Sequence, residues 1–307
     1  MRVLVTGATG FLASYVIPEL KRWGDEVVGL DVRPGADGLG MEFVQADITD
    51  PKLPEKVEGP IDCVIHLAAI AAPKECYADP VRAFNVNVQA THNVLQVALK
   101  HRAKKAVLAS SAHVYGISPR YMPTDECHPL WLFDEYTVTK ILAEQLWQLF
   151  WDNFGISTTV LRLYNGFGPG QTPGYFIPDM IAKAQRDGRI AMKGARTTKD
   201  FVYATDVARA FVAATRTSYV GVINVGSGVE TPLGDVAAYL ARRLAVPFEA
   251  LPYPATQDSR MWADRRRAER VLGWAPTVGL EAGLEAVLNA HGATQGSEVP
   301  ARDGAPG

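Results

Sequence analysis

Cysteine is scarce in this chain of 307 residues, which contains only Cys63, Cys76 and Cys127. Three scattered thiols provide neither the disulfide framework of a small secreted protein nor the paired spacing of a zinc site. We therefore expect reduced thiols and no bound metal ion.

Long apolar runs are also missing, since no stretch of about 18 apolar residues occurs in the sequence. A membrane-spanning helix is thereby excluded. The first residues, "MRVLVTGATG", are typical of a strand and a turn, whereas a secretory signal peptide needs a longer apolar segment and a cleavage site. We expect a cytoplasmic protein without a membrane partner.

An excess of positive charge is absent as well, because 31 Lys and Arg residues against 33 Asp and Glu residues give a formal net charge of -2. Proteins that bind nucleic acid neutralise its phosphates with many cations, so nucleic acid is not an expected partner. A small anionic ligand is compatible with this balance, because a few local amides suffice to bind it.

What the sequence does contain is an alternation of short β-branched runs with segments of helical period. The runs are apolar on both faces, as parallel strands covered by helices must be. The pattern predicts an α/β fold with a doubly wound parallel sheet, in which ligands bind at the carboxyl ends of the strands. The runs cover residues 3–5, 27–30, 63–67, 106–109 and 159–163.

A stretch rich in glycine and proline follows Leu163 and indicates a change of domain. We predict a dinucleotide-binding domain over residues 1–165 and a smaller α/β domain, mainly substrate-binding, over residues 166–292. Strand and helix signals within about 196–225 predict a return of the chain to the first domain. Residues 293–307 lack apolar periodicity and are predicted to form a mobile tail.

The segment "VLVTGATGFLA" places Gly7 and Gly10 between a buried strand and an amphipathic helix, where backbone amides can approach a pyrophosphate. Asp31 ends the second predicted strand, where its carboxylate can accept hydrogen bonds from ribose hydroxyls and would repel a 2′-phosphate. NAD is therefore favoured over NADP, although Arg33 keeps NADP open. Asp47 is either a contact to the adenine amino group or an ordinary turn residue.

Seven motifs along nearly the whole chain resemble, in order, those of the extended short-chain dehydrogenase/reductases, with Ala13 in place of the third glycine of the first motif. They are "TGATGFLA", "HLAAIAA", "NVNVQATHNV", "SSAHVYG", "LRLYNGFGPGQ", "DFVYATDVA" and "NVGSG". The resemblance implies a Rossmann-like domain, NAD as cofactor and a nucleotide diphosphate sugar as substrate. It assigns cofactor contacts to Gly7, Gly10, Phe11, Leu12, Asp31, Asp47, Ile48, Leu67, Ala68, Ala69, Asn87, Tyr136 and Lys140.

Tyr136 and Lys140 are four residues apart in a segment of helical period, so their side chains leave one face of a helix. A phenol with an ordinary pKa of about 10 is a poor base at neutral pH, and lowering that pKa by about three units requires roughly 4 kcal/mol. The resemblance makes Tyr136 the base that deprotonates a sugar hydroxyl. It makes Lys140 the cation that, together with the nicotinamide, lowers this pKa, and it gives Ser111 a hydrogen bond to the reacting oxygen.

His113, preceded by Ala112, stands directly before "VYG". The related sugar dehydratases and glucuronate decarboxylases carry a carboxylate at that position, so the usual acid and base for water elimination are missing here. The resemblance therefore favours a 4-epimerase, with a dehydratase, decarboxylase or ketoreductase as the alternative and a non-catalytic dinucleotide-binding protein as a remote one. His113 is either a residue of the pocket wall or an unusual acid or base.

The resemblance also places Asn165 and Arg260 at the substrate diphosphate, although Arg260 could equally be a surface charge. Lys199 stands where the family carries Arg, which argues against a bidentate contact. Met261 falls near the position that limits the size of the sugar. Asp134 and Glu135, just before Tyr136, either face the sugar or lie at a helix N-terminus.

The segment "ILAEQLWQLFWDNF" is apolar around most of its circumference, more than one contact with a sheet explains. In the resembled family, this helix and the helix over residues 81–101 pair with their copies in a four-helix bundle. We therefore expect a homodimer formed by that route.

Overall fold

The computed structural model of the chain describes residues 1–35 and 40–295. Within them the polypeptide forms strands and helices that largely alternate. In chain order the strands are β1 (Arg2–Thr6), β2 (Glu26–Asp31), β3 (Glu42–Gln45), β4 (Cys63–His66), β5 (Lys105–Ser111), β6 (Ser157–Leu163), β7 (Asn165–Phe167), β8 (Ile190–Met192), β9 (Thr198–Lys199), β10 (Phe201–Tyr203), β11 (Gly221–Val225), β12 (Thr231–Pro232) and β13 (Phe248–Ala250).

The α-helices of these residues flank and connect the strands. They are α1 (Ala13–Arg22), α2 (Leu53–Lys56), α3 (Pro73–Ala78), α4 (Pro80–Phe84), α5 (Ala90–Lys100), α6 (Glu135–Phe154), α7 (Phe176–Asp187), α8 (Ala204–Thr215), α9 (Leu233–Arg243), α10 (Arg266–Leu272) and α11 (Leu280–Gln295). A π-helical segment, Asn85–Gln89, joins α4 to α5, so the helix expected over residues 81–101 is built in three parts.

Seven strands form one sheet in the order β11-β6-β5-β4-β1-β2-β3, with every neighbouring pair parallel. This arrangement confirms the predicted α/β fold of Rossmann type. From β1 the chain first builds outward through β2 and β3 and then, from β4, in the opposite direction. The strand order therefore reverses between β1 and β4, which is where a crevice opens at the carboxyl edge of such a sheet.

Helices cover both faces of this sheet. Val16 of α1 and Phe211 of α8 belong to the buried cluster on one face, and Leu95 of α5 and Trp147 of α6 belong to the cluster on the other. Since both faces are buried, the strands need apolar residues at successive positions, and this is the pattern that the sequence displays.

The remaining short strands form three two-stranded sheets: β7 with β10, β9 with β12, and β8 with β13. They accompany α7, α9 and α11, whose apolar side chains form a third buried cluster. The chain crosses between the two parts, because β11 returns to the edge of the large sheet beside β6. The exact domain limits stay predictions.

The last helix, α11, ends at Gln295, so the first three residues of the predicted tail are helical. The rest of the tail lies outside the described residues. In residues 1–35 and 40–295 no helix combines the length and apolar character needed to cross a bilayer. A cytoplasmic location stays a prediction.

Candidate active site

The turn after β1 lies against the loop after β4 at the point where the strand order reverses. Gly7 has a positive φ of 69°, and a Cβ built on it would lie 2.8 Å from the backbone nitrogen of Ala68. The amide of Gly10 donates to the Gly7 carbonyl oxygen at 2.9 Å. Only backbone fits in this turn, directly before α1, so the residues present match a cradle for a dinucleotide pyrophosphate.

Asp31 is the last residue of β2, and its carboxylate is held by its neighbours. Oδ2 accepts from the amide nitrogen (3.1 Å) and hydroxyl (2.8 Å) of Thr9, and Oδ1 accepts from the Arg33 amide nitrogen at 3.1 Å. Burial raises the pKa of Asp31, but the hydrogen bonds from Arg33 and Thr9 outweigh it, so the net pKa is lowered. The carboxylate is thus ionised at neutral pH and oriented at the strand end.

A cavity of about 410 Å³ opens beside this turn and reaches into the second part of the molecule. It brings together more than half of the residues that the sequence assigned to cofactor and substrate. Those that line it are Phe11, Leu12, Leu67, Ala69, Ser111, His113, Tyr136, Lys140, Asn165, Lys199 and Met261.

Tyr136 lies in the first turn of α6 and is almost completely buried. Burial raises the pKa of its phenol well above the ordinary value, and a hydrogen bond with the Ser111 side chain only partly opposes this shift. In the polypeptide alone the phenol is therefore protonated at neutral pH.

Lys140 lies one helical turn beyond Tyr136, with its Nζ 5.9 Å from the centre of the Tyr136 ring. Its ammonium donates to the carbonyl oxygen of Ala109 at 3.1 Å. Burial lowers the pKa of Lys140 to about 8, while Cys76 and Glu144 act in the opposite direction. The Lys140 ammonium is thus held near the end of β5, and its lowered pKa lies close to neutral pH.

His113 stands edge-on to Tyr136, with the two ring centroids 6.0 Å apart. Burial lowers the pKa of His113 to about 4, and the nearby Lys199 acts in the same direction while Asp134 opposes it. The imidazole is therefore neutral at physiological pH. Burial also lowers the pKa of Lys199.

The charge of the cavity is one-sided. Three lysines, Lys74, Lys140 and Lys199, line it, and no Asp or Glu of the described chain does. A cavity with this lining attracts anionic ligands, and it attracts a dianion more strongly than a monoanion. No Asp or Glu of residues 1–35 and 40–295 is available in it for acid–base chemistry, so the candidate groups for proton exchange there include Tyr136, His113 and Lys140.

Several of the assigned residues lie outside the cavity. Arg260 makes a two-point ion pair with Glu230, at 2.6 and 2.7 Å, and its side chain is 56% exposed, which matches the surface-charge interpretation. Asn87 uses its amide on Ile70 and on the Thr139 hydroxyl instead of facing the cavity.

Two further residues near the proposed adenosine end also lie outside. Asp47 accepts from the Thr49 amide at 2.8 Å, as a turn aspartate does, and lines a separate polar groove. Ile48 is buried in the core beneath α5. The adenine contact of Asp47 stays a prediction, because an Asx turn leaves its second carboxylate oxygen available.

The acids before Tyr136 belong to the helix terminus. Asp134 is the N-cap of α6: its Oδ1 accepts from the Thr137 amide at 2.8 Å, and the Thr137 hydroxyl contacts the Asp134 backbone in return. Glu135 lies in the first turn, where a carboxylate is favoured by the helix dipole. This arrangement fixes the start of α6 and with it the position of Tyr136.

The sequence did not predict the opposite wall of the cavity. Phe176, Ile177, Phe201 and Leu233, from the second part of the molecule, give it an apolar face, and Tyr175 and Gln171 complete the rim. The segment "GYFIP" (residues 174–178) belongs to the stretch rich in glycine and proline that predicted only a change of domain. Its aromatic residues after a glycine-rich stretch were a signal for a binding wall, but their partners come from β10 and α9.

The chain matches the model of the NAD dependent epimerase/dehydratase family over residues 3–226. Among curated relatives, the UDP-glucose 4-epimerase of Mycolicibacterium smegmatis is 32% identical over 302 residues, which cover 92% of this chain and 96% of the relative.

Solved structures with the same fold agree. The UDP-glucose 4-epimerase of Thermotoga maritima, determined with UDP-glucose, gives a TM-score of 0.87 at 26% identity and covers 96% of this chain and 100% of its own. MoeE5, determined in complex with UDP-glucose and NAD, gives a TM-score of 0.86 at 27% identity with the same coverage.

The close approach at Gly7 generates a prediction for dinucleotide binding. Gly7→Ala should weaken the binding of NAD by about tenfold or more, because the methyl group collides with the loop after β4 and displaces the amides of the turn. Isothermal titration calorimetry of the purified variant with NAD measures this loss.

Gly24→Ala is the matched control. Gly24 also has a positive φ, of 76°, but a Cβ there meets nothing within 4 Å, so this variant carries the backbone strain without the collision. It should bind NAD as the unaltered protein does. Equal NAD affinity in both variants and the unaltered protein would show that the turn does not hold the cofactor.

Proposed function

Because the chain belongs to the NAD dependent epimerase/dehydratase family, we propose that it is a nucleotide-sugar 4-epimerase with Tyr136 as its base. The membership confirms the resemblance to the extended short-chain dehydrogenase/reductases and makes NAD the cofactor. The observation that carries the proposal is the lining of the cavity, where the described residues supply Tyr136, Ser111 and Lys140 but no carboxylate. Epimerisation requires one base, whereas elimination of water requires an acid and a base in addition to it.

The cofactor is proposed to lie across the crevice at the β1/β4 reversal. The amides after Gly7 would hold its pyrophosphate, Asp31 would accept from the adenosine ribose hydroxyls, and Lys140 would hold the nicotinamide ribose. An ionised carboxylate at Asp31 disfavours a 2′-phosphate, which agrees with NAD and not NADP. When bound, NAD accepts a hydride from the sugar carbon and gives it back.

The substrate is proposed to be a sugar linked to a nucleoside diphosphate. Both the Thermotoga maritima and MoeE5 structures contain UDP-glucose, and the Lys199 ammonium, which lines the cavity, offers this chain a partner for phosphate oxygens. Asn165 is proposed to assist by hydrogen bonding. His113 and Met261, which line the same cavity, would form the wall around the sugar.

Tyr136 would act on the sugar hydroxyl at C4. Its phenolate takes the hydroxyl proton as hydride leaves C4, and its phenol returns the proton after the 4-keto sugar has turned over in the cavity. Ser111 would hydrogen-bond the same oxygen and keep it within reach of Tyr136. Because the buried phenol resists ionisation, it depends on positive charge from Lys140 and the bound cofactor.

The experiment that tests this proposal uses a panel of uridine, thymidine and guanosine diphosphate sugars and follows the products by NMR. We expect interconversion of C4 epimers, without net change in nicotinamide absorbance and without loss of water. Loss of water would identify a dehydratase, loss of carbon dioxide a decarboxylase and net oxidation of reduced nicotinamide a ketoreductase. Each of these outcomes would contradict the epimerase proposal.

Tyr136→Phe should bind NAD normally yet lose activity by about 100-fold or more, because it retains the ring and removes only the hydroxyl that exchanges the proton. Turnover by NMR and NAD affinity by calorimetry are the two measurements. Tyr164→Phe is a control, since its hydroxyl is also buried near the cavity. Full activity in Tyr136→Phe would remove the assigned base.

We also propose that two copies pair through the faces of α4, α5 and α6. Leu149 and Phe154 of α6 and Val81 and Phe84 of α4 are exposed apolar side chains on these helices. Covering them with a second copy would remove apolar surface from water.

A dimer at micromolar concentration, measured by light scattering, is the expected result. Leu149→Asp should shift it toward monomer, because a charge would be buried at the interface. Leu132→Asp, which alters a leucine of similar exposure (56% against 47%) that belongs to none of these helices, should leave it dimeric. A monomeric unaltered protein would overturn the proposed assembly.

A further inference from the structure

Polar contacts join three consecutive residues of β5, Ala109 to Ser111, to side chains from three turns of α6. The carbonyl oxygen of Ala109 accepts from the Lys140 ammonium at 3.1 Å, and the Ser110 hydroxyl donates to Oε1 of Glu144 at 2.5 Å. The next residue of the strand is Ser111, which contacts Tyr136. These contacts therefore fix the position of α6 relative to β5 at the three residues that end at Ser111.

Glu144 is fixed from its other side by a buried ion pair. Arg162 of β6 donates from Nε to Oε1 at 3.0 Å and from Nη2 to Oε2 at 2.6 Å, and both side chains are about 95% buried. Nη1 of Arg162 donates to the Tyr115 hydroxyl at 3.0 Å, and that hydroxyl donates to Asn224 of β11 at 2.7 Å. The network thus ties α6 to three strands of the sheet.

Stability alone does not account for such a pair. The desolvation of two buried charges offsets most of their attraction, and well-packed apolar residues of similar volume are often equally or more stabilising. A buried ion pair that contributes little net stability still fixes geometry, because only one arrangement satisfies all its donors and acceptors. Here the fixed elements are those that carry Ser111, Tyr136 and Lys140.

We propose that Glu144 is a positioning residue: its carboxylate, fixed by Arg162, locks α6 to the end of β5 and keeps a negative charge beside the Lys140 ammonium. This role rests on the functions proposed above for Tyr136 and Lys140. Glu144 itself does not line the cavity, so its proposed role is exerted through Lys140 and Ser110.

The charge environment of Lys140 supports the second part of this role. The groups that face it are the Cys76 thiol from α3, the His66 imidazole from β4, and Tyr136 and Glu144 from its own helix. Burial lowers the pKa of His66 to about 3 and raises the pKa of Cys76, so both are neutral at physiological pH. Among these four groups Glu144 is thus the anionic one, and it helps Lys140 to stay protonated.

Glu144→Gln tests the proposal because it keeps the size of the side chain and removes its charge. We expect the pKa of Lys140 to fall, since a cation without an anionic neighbour loses its proton at lower pH. We also expect kcat to fall by about tenfold or more, with KM for the sugar nearly unchanged, because the catalytic groups are displaced while the binding wall is not.

The titration of Lys140 is read by NMR of 13C-labelled lysine, with its signal assigned from Lys140→Met, and requires no sugar substrate. Failure of the epimerase proposal therefore leaves this measurement intact. An unchanged Lys140 pKa in folded Glu144→Gln would overturn the electrostatic part of the proposal.

Trp147→Phe is the matched control, because it removes another buried hydrogen bond between the same elements, from the Trp147 indole to the Ala106 carbonyl oxygen at 3.3 Å. We expect it to lower stability while leaving kcat and the Lys140 pKa unchanged. Equal losses of kcat in both variants would show that Glu144 contributes to the stability of the fold and has no separate positioning role.

If Glu144→Gln does not fold, Ser110→Ala removes the contact to β5 and leaves the ion pair in place. It should lower kcat about threefold or more at constant NAD affinity, because the register of α6 loosens. Unaltered kcat in Ser110→Ala would overturn the positioning role.

Discussion

The cost of ionising a phenol inside the protein is the constraint on which the rest of the site depends. Tyr136 is buried, and its surroundings raise its pKa instead of lowering it. A residue in this state is a base only when positive charge arrives beside it. The polypeptide contributes Lys140, itself desolvated and held by Ala109, and the proposed remainder comes with the cofactor. Proton transfer would then be confined to the complex in which a hydride acceptor is present.

The fold supplies the geometry for that requirement. Reversal of the strand order between β1 and β4 opens the crevice, and the close approach of Gly7 to Ala68 leaves room only for backbone at the proposed dinucleotide site. The capping box at Asp134 starts α6 at a defined residue, and the buried pair of Glu144 and Arg162 fixes the same helix to the sheet. Ser111 and Tyr136 therefore meet at the carboxyl edge of the strands.

Much of this was predictable because it depends on local sequence. The apolar, β-branched runs predicted the strands, and the glycine spacing predicted the turn at Gly7. The four-residue interval predicted that Tyr136 and Lys140 share one face of a helix. Arg260 was not resolved from sequence, because its partner Glu230 is 30 positions away and lies in a different loop.

The buried contacts were equally hidden. Asn87 looks like a ligand by motif, yet its amide is used on Ile70 and Thr139. In the sequence Glu144 is an ordinary polar position of a helix. Its ion pair with Arg162 forms only when α6 packs beside β6. Such pairings follow from tertiary packing, which one sequence does not encode in its periodicity.

The most direct measurement is the ionisation of Tyr136 itself, obtained as the ultraviolet difference titration of the unaltered protein minus Tyr136→Phe, with and without bound NAD. The account predicts that the phenol stays protonated up to at least about pH 10 in the cofactor-free protein and ionises at distinctly lower pH in the complex. Ionisation near neutral pH without NAD, or the same pKa in both states, would contradict it.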